Sequence, residues 1–298
     1  QNRYGCAYNA GAPDCAAGTD IPASGNVFYF ATAPTLTISG LSADDKIYDA
    51  TTVASLSGTG TLNGILFGDG VGLDTSSATA SFDTKNVGTG KTVTASGYAL
   101  SGTNLGYLLS QPSSLSADIT PADLTLFGLT ASNKVYDTTT AATLGSTASV
   151  SALGSDSVSL SGTAIGTFNN KNVGTAKTVT VSGLTLTGTD AGNYTLLSQP
   201  GLIADITPAD LTAFGLTALD KVYDATLAAP LSGTAQINPL GADDVVLSGT
   251  AAGLFSDKNV GSSKAVTVSG LSLSGTDAGN YTFIPQTGLT ANITTADI

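Results

Sequence analysis

Lysine, tyrosine and aspartate are the side chains of this sequence best suited to chemistry, and they recur at a fixed spacing. One lysine of each set opens the pattern Lys-x-Tyr-Asp. A second lysine opens the pattern Lys-Asn-Val-Gly, three residues after a phenylalanine. The recurring residues are Lys46, Tyr48, Asp49 and Phe82; Lys134, Tyr136, Asp137 and Phe168; and Lys221, Tyr223, Asp224 and Phe255.

Two interpretations fit this spacing. In the first, tyrosine and phenylalanine fill the interior of each copy, the lysine stem lies across its rim, and the ammonium group pairs with the aspartate. In the second, a lysine such as Lys134 forms an isopeptide bond with an asparagine such as Asn172, promoted by a buried Asp137. We prefer the first, because only the geometry of an apolar pocket would establish the second.

Composition argues against catalysis. The chain has no histidine, so neither a Ser-His-Asp nor a Cys-His arrangement can form. Its two cysteines cannot build a four-cysteine metal site. We therefore expect no enzyme and no cofactor. One alternative concerns the Asp-Ala-Gly-Asn segments that begin at Asp190 and Asp277, which are predicted to be hairpin turns but also have the residue types of a Ca²⁺ loop.

Net charge narrows the range of partners. The formal charge is −12, from 22 acidic and 10 basic residues. Binding to nucleic acid needs a basic patch, and an anionic membrane surface would repel this chain. The longest apolar run, residues 27–31, is far too short to span a membrane. We expect neither nucleic acid binding nor membrane insertion.

Internal repetition is the main signal for the fold. Lys-x-Tyr-Asp occurs at residues 46–49, 134–137 and 221–224, and Lys-Asn-Val-Gly occurs at 85–88, 171–174 and 258–261. An Ile-Thr-Pro-Ala segment, or Ile-Thr-Thr-Ala in the third copy, ends each copy. We predict an N-terminal segment at 1–34, repeats at 35–122, 123–209 and 210–296, and the start of a further repeat at 297–298.

The first 34 residues lie outside the repeats. Cys6 and Cys15 are close in sequence, and we predict that they form a disulfide contributing about 2–3 kcal/mol in the chain-entropy estimate. Disulfides persist in oxidising compartments, so this prediction favours an extracellular location. An apolar strand candidate follows, which would pack on the first repeat, end a preceding domain or be donated to a neighbouring chain. It consists of Val27, Phe28, Tyr29 and Phe30.

Strand periodicity within a copy predicts an all-β fold. Val179 and Val181 alternate with polar residues, and the apolar phase flips after Gly183. The same flip at Gly97 and Gly270 indicates a bulge or a bend between sheets. Short strands joined by glycine, asparagine and aspartate turns predict three small antiparallel β-sandwiches, Ig-like or β-grasp-like. Because the junction between copies is short and lacks glycine, we expect these repeats to form an elongated rod.

Four motifs in a constant order carry a resemblance. They are the Lys-x-Tyr-Asp opening, the Phe-x-x-Lys-Asn-Val-Gly centre, a Gly-Thr-Asp-Ala-Gly-Asn-Tyr segment from which only the first copy departs, and the closing Ile-Thr-Pro-Ala. Over residues 35–298 they resemble the YDG-type repeats, related to MBG repeats, of large bacterial adhesins of the filamentous-haemagglutinin type. The glycine of the family's Tyr-Asp-Gly is replaced here by Ala50, Thr138 and Ala225.

The resemblance implies a stalk or spacer in a secreted or surface-attached bacterial adhesin that mediates adhesion or biofilm contacts, with no catalytic residues. The expected partners are neighbouring repeats and an unidentified surface receptor or matrix. The alternative is the subunit of a self-assembling extracellular filament, in which residues 27–31 or sheet edges add strands to other copies. A ligand-binding module that uses flat Thr-x-Thr rows ranks last.

Overall fold

The computed structural model describes residues 32–66, 69–102 and 106–297, together with the backbone of residues 2–4, 7–9, 12–14 and 28–30. Throughout these residues the regular structure is β, apart from single 3₁₀ turns at Ala191–Asn193 and Ala278–Asn280. The predicted all-β class with three tandem repeats is confirmed. In this described part of the chain, no helix is long and apolar enough to cross a membrane.

The described backbone before the repeats forms four short strands: β1 Asn2–Tyr4, β2 Ala7–Asn9, β3 Ala12–Asp14 and β4 Phe28–Phe30. Strands β2 and β3 pair antiparallel, and β1 pairs in parallel with β4. The apolar segment thus forms a strand at Phe28, Tyr29 and Phe30, and it pairs within its own chain. Val27, Cys6 and Cys15 lie outside the described residues, so the disulfide stays a prediction.

Within the residues that the structure describes, each repeat contributes nine strands. The first has β5 Thr35–Ala43, β6 Lys46–Ile47, β7 Leu56–Asn63, β8 Val71–Asp74, β9 Thr79–Phe82, β10 Gly88–Ser96, β11 Ala99–Gly102, β12 Leu108–Ser110 and β13 Leu115–Thr120. The second has β14 Ala122–Thr125, β15 Thr130–Ala131, β16 Lys134–Val135, β17 Ala141–Ala142, β18 Leu144–Gly145, β19 Ser159–Phe168, β20 Gly174–Thr187, β21 Tyr194–Leu197 and β22 Ile203–Thr207. The third has β23 Ala209–Thr212, β24 Phe214–Ala218, β25 Lys221–Val222, β26 Ala228–Ala229, β27 Leu231–Gln236, β28 Val246–Phe255, β29 Gly261–Ser274, β30 Tyr281–Ile284 and β31 Leu289–Thr294.

The main sheet has the same order in the second and third repeats. It runs β16-β22-β20-β19-β17 in the second and β25-β31-β29-β28-β26 in the third. Its central pairs are antiparallel, but the short edge strands β16 and β25 pair in parallel with β22 and β31. The entering strand β23 also runs parallel to β30. The sheets are therefore mixed rather than purely antiparallel, because distant segments of the chain meet after long connections.

The chain divides into two compact units whose limits differ from those of the repeats. Unit 1 contains Gln1–Leu124, Val150–Ser161 and Leu186–Leu197, and unit 2 contains Thr125–Ser149, Gly162–Thr185 and Ser198–Ile298. Each unit has a core drawn from two successive repeats. The core of unit 1 includes Tyr48, Phe82, Val93, Ile119 and Tyr194, and that of unit 2 includes Tyr136, Phe168, Val179, Ile206 and Tyr281.

The predicted bend is present at Gly270. The pairing of β28 with β29 shifts register between Gly249 and Ala252, opposite this glycine, which has a φ of +83°. A side chain at Gly270 would bring its Cβ into a clash with the carbonyl oxygen of Thr250. Only glycine combines this conformation with so close an approach of the facing strand.

Gly270→Ala is expected to lower the free energy of unfolding of unit 2 by about 2–3 kcal/mol, from the positive φ and the backbone clash together. Denaturant unfolding followed by circular dichroism measures the change. Gly279→Ala is the matched control, because nothing lies within 4 Å of a Cβ at that position. An equal loss in both variants would mean that the bend does not require glycine.

Candidate functional site at the junctions between repeats

The Lys-x-Tyr-Asp segment closes a tight loop within its own repeat. Strand β16 pairs in parallel with β22, and the backbone N–H of Tyr136 donates to the carbonyl of Thr207. In the loop that follows, Lys134 Nζ lies 2.7 Å from Asp137 Oδ1 and donates to the carbonyl of Thr139 at 2.8 Å. The ammonium group also lies 5.6 Å from the centre of the Phe168 ring. This loop recurs around Lys46 with Asp49 and Phe82, and around Lys221 with Asp224 and Phe255.

The tyrosine of the loop forms a hydrogen bond with the following repeat. The hydroxyl of Tyr136 donates to Asp243 Oδ2 at 2.7 Å, across 107 residues of sequence. Tyr281 donates to the same oxygen at 2.7 Å, and its own oxygen accepts from the backbone N–H of Leu240 at 2.9 Å. The two tyrosine rings meet edge to face, with centroids 5.5 Å apart. One aspartate thus joins two tyrosines from successive repeats inside unit 2.

The Lys-Asn-Val-Gly segment makes the second half of this junction. Lys171 Nζ lies 2.7 Å from Asp243 Oδ1 and 3.1 Å from Asp277 Oδ1, both in the third repeat. The buried Asn280 accepts from the backbone N–H of Val173 at 2.9 Å and donates to Asn172 Oδ1 at 3.3 Å. Three of the four residues of the motif are therefore used to bind the next repeat.

Unit 1 contains the same junction between the first and second repeats. Asp156 accepts from Tyr48 at 2.6 Å, from Tyr194 at 2.7 Å and from Lys85. Lys85 also lies 3.1 Å from Asp190, and Asn193 accepts from the backbone N–H of Val87 at 2.9 Å. Every contact of one junction has its counterpart in the other. The junction is therefore encoded by the repeat sequence and is not a chance contact.

Charge and burial fix the protonation states of the junction. The side chains of Asp156 and Asp243 are only 1% and 4% exposed. Burial alone would raise their pKa, but the hydrogen bonds from one lysine and two tyrosines outweigh it and hold the pKa of each below its ordinary value. Burial and the bond to the aspartate raise the pKa of Tyr194 and Tyr281 to about 12. The bond to Asp156 likewise raises the pKa of Lys85.

These shifts predict how stability depends on pH. The lowered aspartate pKa contributes stability that is present above the ordinary value of 3.8 and is lost as pH falls through the folded value. The raised pKa of Tyr194 and Tyr281 contributes stability that is present below pH 10 and is lost as pH rises towards 12. We expect maximal resistance to denaturant between about pH 5 and 9. A series of unfolding curves across pH measures this, and the acid-side loss should shrink for unit 2 in Asp243→Asn.

The structure separates the roles that the sequence interpretation gave to one set of residues. The first lysine of each repeat pairs with the aspartate of its own Lys-x-Tyr-Asp loop, whereas Lys85 and Lys171 bind carboxylates of the next repeat. Lys134 and Asn172, the isopeptide candidates, have different hydrogen-bond partners. Tyr48 and Tyr136 are buried at 2% exposure, but Tyr223 is 36% exposed and is not a core residue.

The sequence interpretation missed that Asp156 and Asp243 receive the tyrosine and the lysine of the preceding repeat. A signal for them exists, because they occupy equivalent positions in their repeats and each follows a small residue before a strand. The Asp-Ala-Gly-Asn segments form the 3₁₀ turns, and their aspartates bind lysine and backbone N–H groups. Across the described residues, no group of three or more acidic, cysteine or histidine side chains is placed to hold a metal ion.

Comparison with known families establishes the affiliation. Residues 32–114, 120–201 and 207–289 each match the YDG domain. The chain belongs to the YDG domain family. The resemblance drawn from the four motifs is confirmed, with three tandem copies that cover most of the sequence. Neither the curated proteins nor the solved structures contain a match to the chain.

The conformation of the YDG loop explains the glycine in its name. The residue after Tyr-Asp has a positive φ in all three repeats, +63° at Ala50, +68° at Thr138 and +65° at Ala225. Glycine adopts this left-handed conformation without strain, whereas a β-branched threonine is strongly disfavoured there. This chain therefore carries backbone strain at each YDG loop, and most of it at Thr138.

Thr138→Gly is expected to stabilise unit 2 by about 1 kcal/mol, because relief of the strained φ exceeds the added entropy of the unfolded chain. Thr140→Gly serves as the control: it lies in the same loop without a positive φ, and glycine there should destabilise. Thermal and denaturant unfolding measure both changes. A loss of stability in Thr138→Gly would contradict the assignment of strain.

Proposed function

We propose that the chain is a spacer, a run of YDG repeats in the stalk of a large secreted or surface-attached bacterial adhesin. The observation that carries this proposal is that the recurring motifs contact the next repeat. The tyrosine and the second lysine of the first and second repeats bind the following copy through Asp156 and Asp243. A repeat whose signature residues bind its neighbour is built for connection rather than for catalysis.

The energetic properties of the junction fit a mechanical role. Each junction combines an edge-to-face tyrosine pair, a buried aspartate with three donors and a lysine between two carboxylates. Hydrogen bonds to charged groups in a buried setting are stronger than neutral ones and specify a single geometry. In a tandem array, nearest-neighbour terms of this kind add to the stability of each repeat.

To test this, the chain is displayed on a bacterial surface between a membrane anchor and a tip domain of known ligand, and adhesion to that ligand is measured. If the chain is a spacer, adhesion requires the tip, falls as repeats are removed, and returns when an unrelated repeat array of equal length replaces the deleted part. Adhesion that persists after removal of the tip, and that is abolished by substitutions on exposed faces of the repeats, would contradict the proposal and favour a ligand-binding module.

Sedimentation of the purified chain distinguishes a spacer from a filament subunit. A spacer sediments as a monomer from nanomolar to micromolar concentration, whereas a filament subunit grows into polymers with a regular spacing. We expect the monomer.

A further inference from the structure

The third repeat carries the binding half of a junction whose receiving half is not part of the described structure. Tyr223, Lys258, Asn259 and Val260 stand where Tyr136, Lys171, Asn172 and Val173 stand in the second repeat. We call these four residues the third-repeat face. Tyr223 is 36% exposed where Tyr48 and Tyr136 are 2% exposed, and Val260 is 49% exposed where Val87 and Val173 pack against the unit cores.

The charge of this face is also uncompensated. Lys85 and Lys171 each lie between two carboxylates of the following repeat. Lys258 forms no ion pair with any of the residues that the structure describes, although Lys221 and Lys264 of the same repeat both do. The face thus presents a cation, an amide, a phenol and an apolar side chain in the arrangement that elsewhere in this chain binds two aspartates, an asparagine and a tyrosine.

We propose that the third-repeat face binds one further YDG repeat, of the kind that presents a buried aspartate and an Asp-Ala-Gly-Asn-Tyr segment. The proposal deepens the proposed spacer function and rests on it, since it names the partner by the groups that complement the face. The required groups are those of Asp156, Asp190, Asn193 and Tyr194, or of Asp243, Asp277, Asn280 and Tyr281.

A second copy of this chain is a poorer occupant. The receiving groups of its second and third repeats are already bound to the repeats that precede them. Its first repeat keeps a Tyr107–Asp69 hydrogen bond that corresponds to the Tyr194–Asp156 bond. At residues 102–107, however, it reads Gly-Thr-Asn-Leu-Gly-Tyr, which lacks the Asp-Ala-Gly-Asn that binds the lysine and the valine N–H. Complementarity of sequence therefore favours a repeat of the second or third type.

The experiment extends the chain with a second copy of residues 212–298 after Ile298, and measures nitration of Tyr223 by tetranitromethane with peptide mass spectrometry. In the three-repeat chain, Tyr223 should react while Tyr48 and Tyr136 are protected. In the four-repeat chain, nitration of Tyr223 should slow about tenfold, and the equivalent tyrosine of the added copy should become the reactive one. A parallel extension built from residues 125–211 ensures that one misfolded appendage does not decide the result.

Matched lysine variants identify the cause of the protection of Tyr223 from nitration. In the four-repeat chain, Lys258→Gln should restore nitration of Tyr223, whereas Lys264→Gln should not, because Lys264 pairs with Asp257 of its own repeat. Equal reactivity of Tyr223 in the three-repeat chain and both extended chains, with Tyr136 still protected, would overturn the proposal and leave the spacer function standing. Protection of Tyr223 that appears in the three-repeat chain as concentration rises would also overturn it, in favour of a second copy.

Discussion

Tyr136→Ala should lower the free energy of unfolding of unit 2 by about 3–5 kcal/mol, whereas Tyr223→Ala should lower it by less than about 1 kcal/mol. The two tyrosines occupy the same position of the same motif. They differ because Tyr136 is buried against Tyr281 and bonded to Asp243, while Tyr223 has no following repeat in the described structure. Truncation of Tyr136 also leaves a cavity and removes one donor from a buried carboxylate.

Hydrogen exchange resolved by peptide is the appropriate measurement, since the two compact units need not unfold together. The amide protection of unit 2 should fall in Tyr136→Ala and that of unit 1 in Tyr48→Ala. Equal destabilisation by Tyr136→Ala and Tyr223→Ala would show that the tyrosine stabilises its own repeat and not the junction.

Asp243→Ala is expected to destabilise unit 2 by about 2–4 kcal/mol. The substitution leaves two tyrosine hydroxyl groups and the ammonium of Lys171 without their shared acceptor. The expected loss extends below the roughly 3–5 kcal/mol typical of broken buried pairs, because Lys171 is 36% exposed and regains water. Asp156→Ala should act in the same way on unit 1.

Asp210→Ala is the control for this substitution, because Asp210 is exposed on β23. It should leave the stability within experimental error. A double-mutant cycle that combines Asp243→Ala with Lys171→Ala should show losses smaller than additive, because both changes remove the same ion pair. Additive losses would mean that Asp243 and Lys171 stabilise unit 2 independently.

The repeats, the strands and the closed Lys-x-Tyr-Asp loop follow from the sequence. The contacts in the loop are local, so Lys134 and Asp137 are near each other in any folded arrangement of their segment. The phase flip at Gly270 is equally readable, because a change of face within a strand needs a bend and glycine permits it.

The junction does not follow from the sequence, for a reason inherent to repetition. Tyr136 could contact an aspartate of its own repeat or the equivalent aspartate of the next repeat. Both contacts predict the same pattern of recurring residues. Periodicity therefore cannot say whether Asp156 or Asp243 receives Tyr136. The third repeat breaks this ambiguity, because the structure describes no repeat after it and Tyr223 is exposed there.

The parallel strand pairings also could not be predicted from the sequence. Strands β16 and β25 are only two residues long, which is too short for an alternating pattern to appear. Their partners β22 and β31 lie near the opposite end of each repeat, so local turn chemistry carries no information about them.

Zero-length cross-linking tests the central claim most directly, namely that each repeat is held by the motifs of the one before it. A carbodiimide joins a lysine to a carboxylate only when the two are already in contact, and Asp190 and Asp277 are 18% and 20% exposed and so within reach of the reagent. In the monomeric chain we predict amide bonds between Lys85 and Asp190 and between Lys171 and Asp277. Cross-links of Lys85 and Lys171 to carboxylates of their own repeats alone would contradict the account.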